Sequence, residues 1–306
     1  MVVQIKRSKL VLIAIALTLM SGCATQITAV EEISSAESIS IAGQEVPQVT
    51  RVIALANGSA EIISALGYRN ILIGRDIASS DPDLESVEIV TSGHQIIPEK
   101  ILSLSPDLVL IDDSSGPQSA LSALESAGIT TVLISQAWTL ADMDMKVSEV
   151  AAAIGAEEAG RELRKALITA GNQFTPIATG TKIAFLYLRG TSSIYLIGGK
   201  GSGADSLISA TGATDIGAQT LSNPFNPMTS EALARLNPDV FLVMSKGLES
   251  VGGIDGLLAL PGIKQSSAGK NRAIISVDDS LLLSFGPRTP SLITQLAQSV
   301  ENLLTR

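Results

Sequence analysis

One phrase occurs twice in this chain, and it constrains the fold more than any other feature. Glu99-Lys-Ile-Leu-Ser-Leu-Ser-Pro106-Asp107-Leu-Val-Leu110 in the first half is matched by Glu231-Ala-Leu-Ala-Arg-Leu-Asn-Pro238-Asp239-Val-Phe-Leu242 in the second. A residue before proline avoids the helical region, so each copy reads as a helix that stops before Pro-Asp. The unbroken apolar run that follows is what a strand buried on both faces requires, as in a parallel sheet between helices. A duplicated helix-to-strand unit implies two related βα lobes packed on either side of a cleft.

The flanking sequence supports this α/β reading. Apolar runs at 51–55, 71–74, 108–111 and 130–134 alternate with helical patterns at 59–66, 98–104 and 118–127, and Gly67 and Gly128 close two of those helices. Residues 140–170 carry apolar side chains at helical spacing and are followed by Pro176 and Gly180, which predicts one long connecting helix. The βα alternation resumes at 182–188. The expected organisation is therefore a first lobe at 49–138, a linking helix within 139–176 and a second lobe at 177–306.

Residues 1–48 have a different character. Lys6, Arg7 and Lys9 precede an apolar run at 10–20 that ends in Met20-Ser21-Gly22-Cys23, the pattern of a signal peptide with a lipobox. The run is short for a bilayer span, and small residues flank the only cysteine, so residues 1–22 are expected to be removed and Cys23 lipidated. This places the protein on the extracytoplasmic face of the cell membrane. Residues 23–48 show no sustained period and are expected to be a flexible tether. No second cysteine exists to form a disulfide, so the fold must hold through its core; an apolar content of 45% is sufficient for two lobes. Removing residues 1–22 takes away three positive charges and no acid, turning a net charge of −9 into −12, which argues against nucleic acid as a partner.

Lipobox, tether, βα lobe, long helix and second βα lobe together resemble the substrate-binding proteins of importers for cobalamin, ferric siderophores and haem. The resemblance spans essentially the whole mature chain. It implies a stiff linking helix, lobes that move little, a monomeric carrier without catalysis, and delivery to an ABC permease and its ATPase. Three phrases look like those of actinobacterial haem carriers: Thr91-Ser92-Gly93-His94, Tyr187-Leu188-Arg189-Gly190, and Phe285-Gly286-Pro287-Arg288-Thr289-Pro290. By that resemblance the transported ligand is ferric haem b, with His94 and Tyr187 as axial ligands, one from each lobe. The resemblance also points to Glu61 and Asp205, on the first helix of each lobe, as the acids that dock onto the permease.

The residues themselves are compatible with that chemistry. His94 is the only histidine and lies in a loop, where α/β lobes place their sites. Imidazole and phenolate are both known axial ligands of haem iron. A free tyrosine titrates near pH ~10, so ligation at neutral pH needs help. Iron supplies most of it, and Arg189, two residues along the same strand face, would favour the phenolate. A core tyrosine beside a surface arginine is the plain alternative. Tyr195 is the reserve ligand, and Phe225 is placed to stack on a porphyrin or to anchor its loop. Arg288 and Arg75 are candidates for the two propionates, because a guanidinium matches carboxylate geometry; surface salt bridges would explain them equally well.

Three other readings are weaker. Gly198-Gly199-Lys200-Gly201-Ser202-Gly203 lacks the glycine order and the Lys-Ser/Thr helix start of a phosphate loop. A cobalamin carrier would need no tyrosine ligand, and siderophore pockets are commonly basic or aromatic, whereas this chain is only 3% aromatic. An extracytoplasmic hydrolase would have to be built on His94 without a Gly-x-Ser-x-Gly elbow.

Overall fold

The computed structural model describes residues 30–93, 95–171, 176 and 180–305. The first lobe is a five-stranded parallel sheet in the order Glu88–Ile89, Leu72–Arg75, Val52–Ala54, Leu108–Ile111, Thr131–Leu133. In the second lobe Ile274–Val277, Val240–Met244 and Lys182–Arg189 run parallel, and Ile194–Gly198 and Phe225–Pro227 extend the sheet antiparallel. Val240–Met244 and Ile274–Val277 are buried at every position, as their continuous apolar sequence demands.

The repeated phrase does the same work in both lobes. Helix Pro98–Leu104 ends at Ser105 with φ 45°, and helix Ser230–Leu236 ends at Asn237 with φ 39°, two left-handed caps each followed by Pro. The aspartate that follows ties down the start of the neighbouring strand. Asp107 accepts from the backbone N–H groups of Thr50 and Arg51, and Asp239 from that of Lys182. Thr50 to Asp107 and Lys182 to Asp239 are both separations of 57 residues, so the duplication is structural as well as textual.

The connection between lobes differs from the sequence expectation of one long helix. It consists of two helices, Leu140–Ile154 and Glu157–Gly171, packed on each other. A capping box between Thr139 and Asp142 starts the first, and Gly155, at φ 72°, stops it. The apolar period runs through the break because Val147, Val150 and Ile154 before it and Ala159, Leu163 and Leu167 after it enter the same core. That core continues from Ile62 and Leu66 of the first lobe to Phe185, Leu207 and Val240 of the second.

The described part of the expected tether is not a loose segment. Val30–Ile33 adds a parallel edge strand to the second lobe beside Ile274–Val277. Ile39 N–H then donates to Pro287 O in the second lobe, and Ile41 N–H to Ala65 O in the first. Glu45 caps helix Glu157–Gly171 by accepting from the N–H groups of Glu158 and Ala159, and Gln48 N–H donates to Ile154 O. The segment lacks a period because it crosses several surfaces instead of belonging to one.

A Cβ on Gly155 would lie 2.6 Å from Gln48 Cγ, in addition to the cost of the left-handed backbone. Gly155→Ala is expected to destabilise by about 1 kcal/mol or more, lowering the midpoint of thermal unfolding by ~3 °C. A scanning-calorimetry trace matching the parent would contradict this account of the break.

Candidate ligand-binding cleft

Both sheets direct loops and strand ends into a cleft of about 640 Å³ between the lobes. The first lobe contributes Leu55, Asn57, Ile77, Gly93 and Ile96, and the second contributes Tyr187, Arg189, Leu196, Phe225 and Lys246. At one point the lobes are joined directly, where Asn57 Nδ2 donates to Leu283 O at 3.1 Å.

Strand alternation aims Tyr187 into this space. Ala184, Leu186 and Leu188 pack into the outer core of the second lobe, while Phe185 and Tyr187 face the other way. The Phe225 ring meets the Tyr187 ring edge-on, with centroids 5.6 Å apart and planes at 65°. Arg189 places its guanidinium carbon 4.8 Å from the Tyr187 ring centroid and Nη1 3.7 Å from an oxygen of Asp279. Tyr187, Arg189 and Phe225 thus form one wall. His94 lies outside the described residues, as does Cys23; Gly93 and Ile96 line the cleft from the first lobe.

The other expected site residues sit elsewhere. Tyr195 pairs with Leu188 and packs against the outer core, so its neighbour Leu196 faces the cleft instead. Register parity decides the matter: Tyr187 pairs with Leu196, and the adjacent position points to the opposite face. Arg75 is buried beneath its own loop, donating to Leu84 O at 3.0 Å and Ser79 O at 2.9 Å. Neither residue is available to a ligand in the cleft.

Arg288 and Glu61 are committed to each other. Arg288 is 4% exposed and Glu61 2% exposed; two guanidinium nitrogens meet both oxygens of Glu61, and Nε lies 3.3 Å from Asp81. Arg288 comes from the second lobe, and Glu61 and Asp81 from the first. The pair is a bond between lobes, and neither a propionate anchor nor an exposed docking acid. Burial pushes the Glu61 carboxyl up to about 6 against the pull of Arg288. Nearby, buried Lys146 donates to Ser284 O at 2.7 Å, and burial draws its ammonium down to about 8, against the opposing pull of Glu61, Asp112 and Asp76. Asp205, half-buried, accepts from the N–H groups of Gly201 and Gly203 and braces its own glycine loop.

Two of the cleft residues that sequence reasoning missed are informative. Trp138, the only tryptophan, lies between the last strand of the first lobe and the connecting helices and is 40% exposed in the cleft. Gly203, at φ 88°, leaves room for its indole, since a Cβ there would be 3.3 Å from Trp138 Cε3. A lone tryptophan at a lobe boundary was the available signal. The other, Lys246, is the second residue of helix Ser245–Ser250, which follows strand Val240–Met244; a cation two residues beyond the carboxyl end of a parallel strand was its signal.

Two sheets, a connecting pair of helices and a cleft at the strand ends define an extracytoplasmic solute carrier. The profile of the periplasmic binding protein family matches residues 52–281, and the chain belongs to that family. It is the substrate-binding component of an ABC importer, a part that carries its ligand without chemical conversion. The crystal structure of a heme binding protein, HmuT, superposes with a TM-score of 0.77 at 32% identity, covering 89% of this chain and 97% of that one. The ABC transporter substrate-binding lipoprotein YvrC of Bacillus subtilis is 26% identical over 82% of this chain and 79% of its own length. The vitamin B12-binding protein of Vibrio parahaemolyticus is 23% identical over 83% and 90%.

Removing one partner of a buried ion pair strands the other. Arg288→Met is expected to cost about 3–5 kcal/mol by leaving Glu61 uncompensated, and the double variant with Glu61→Gln to recover much of that loss. Urea denaturation of the three proteins measures it; a single variant as stable as the parent would remove the inter-lobe pair from the stability of the fold.

Proposed function

We propose that this protein captures ferric haem outside the cytoplasm, held at the membrane by a lipid on Cys23, and delivers it to an ABC permease for iron uptake. The observation that carries the reading is the cleft wall itself, a tyrosine with a guanidinium against its ring and an aromatic edge beside it, opposite a first-lobe wall in which Leu55, Ile77 and Ile96 alternate with polar groups. A phenolate is a strong anionic donor to ferric iron, and the Arg189 guanidinium packed against the ring holds the tyrosine in the cleft wall. Phe225, Leu196 and Ile77 offer apolar area to a flat macrocycle, while His94 would supply the second axial ligand from the opposite lobe. Likeness to HmuT across most of both chains supports the same ligand class.

Docking calls for exposed acids, whereas Glu61 is buried and half-buried Asp205 has both its oxygens on its own glycine loop. Glu99 and Glu231 hold equivalent places in the repeated phrase, are exposed, and lie in the first turns of helices Pro98–Leu104 and Ser230–Leu236. Each helix follows closely on a segment that lines the cleft, at Ile96 and at Phe225. The pair therefore marks the same edge of both lobes, where a permease would meet the mouth of the site.

Adding ferric haem to the soluble form without residues 1–23 is expected to give a saturable complex near one equivalent. Tyr187→Phe and His94→Ala should each alter the absorption spectrum and weaken binding by at least ~10-fold. If haem gives no defined complex while cobalamin does, the ligand assignment passes to cobalamin. Charge reversal at Glu99 and Glu231 together is expected to leave the haem titration unchanged and to lower transport by the assembled importer about tenfold; normal transport would show that docking uses other groups.

A further inference from the structure

Among the described residues the cleft offers two cations to a ligand, and they are not equivalent. Arg189 is spoken for, lying against the Tyr187 ring and paired with Asp279. The other oxygen of Asp279 accepts the backbone N–H of Lys246 at 3.0 Å, so this carboxylate fixes the main chain at Lys246 while its charge is matched by Arg189. Asp76, the other acid on the cleft wall, is held by Ala78 N–H and the Ser79 hydroxyl, within range of Arg75 and buried Lys146. Among the described residues no ion pair engages the Lys246 ammonium, and its side chain is exposed along the cleft.

An unmatched cation on a positioned backbone, in a protein of net charge −9, suits an anionic group on the ligand. Building on the haem reading, we infer that Lys246 is the specificity-determining residue of the cleft, binding a carboxylate of the porphyrin and selecting dicarboxylate macrocycles over uncharged ones. The apolar side chains of the cleft and the iron ligands would hold the ring and metal, which charged and esterified porphyrins share. Lys246 reads the one feature in which they differ.

The test compares ferric haem with its dimethyl ester, in which both carboxylates are masked, on the parent protein and on Lys246→Gln. The expected result is a five- to tenfold weaker haem complex for Lys246→Gln with the ester unaffected, and a haem affinity less sensitive to salt than that of the parent. Equal effects on both porphyrins, or none on haem, would overturn the assignment. Lys246→Arg should retain the preference for haem over its ester; loss of that preference in this variant would also count against it. A parent protein that binds neither porphyrin removes the haem reading and this inference together, a result distinct from binding of both without discrimination.

Discussion

Taking a guanidinium out of water costs several kcal/mol, and Arg288 recovers that cost only where it meets the two oxygens of Glu61 and one of Asp81. Those carboxylates belong to the other lobe. The requirement to satisfy one buried charge thus fixes the relation between two halves that could otherwise turn about their connection. Lys146 on Ser284 O and Asn57 on Leu283 O bind the same base of the cleft, and the core shared through the connecting helices excludes water from it. These contacts all lie at the base of the cleft and set the placement of Tyr187 opposite the first-lobe wall.

The sequence showed the lobes because the repeated phrase joins local signals: a left-handed cap, a proline, an aspartate and a buried strand. It pointed to Tyr187 through a phrase resembling those of haem carriers, with strand parity putting Arg189 on the same face, and to Phe225 through its loop before the repeated helix, while leaving a core tyrosine and a loop anchor open. It did not show what Arg288 and Glu61 do, since their partnership spans 227 residues and neither neighbourhood carries a trace of it. Both residues read as exposed candidates because charged side chains ordinarily are. The break at Gly155 was hidden for another reason. Two helices that feed one core preserve the apolar period across the turn, and only the glycine distinguishes them from one. Lys246 and Trp138 were missed because they gain meaning only when strand ends from both lobes face each other.

The cleft also shows how a carrier fold separates recognition from rigidity. The charged groups that hold the lobes lie buried at its base, matched within the protein. The polar groups proposed to meet a ligand lie on the walls, where Tyr187 is half-buried and Lys246 exposed. A pocket that mixed the two sets would loosen its scaffold each time it released its cargo. Here the same residue types serve both purposes, distinguished by depth.

The edge strand Val30–Ile33 has a mechanical consequence. If Cys23 carries the lipid as proposed, seven residue steps separate that anchor from a strand hydrogen-bonded into the second lobe, a leash of at most about 25 Å. A carrier so held searches for its permease across a surface in place of a volume, and the local concentration of each for the other rises accordingly. It also cannot drift far from the bilayer to meet its ligand. Cargo would then have to reach the membrane, through whatever envelope lies outside it, before a protein so held could take it up.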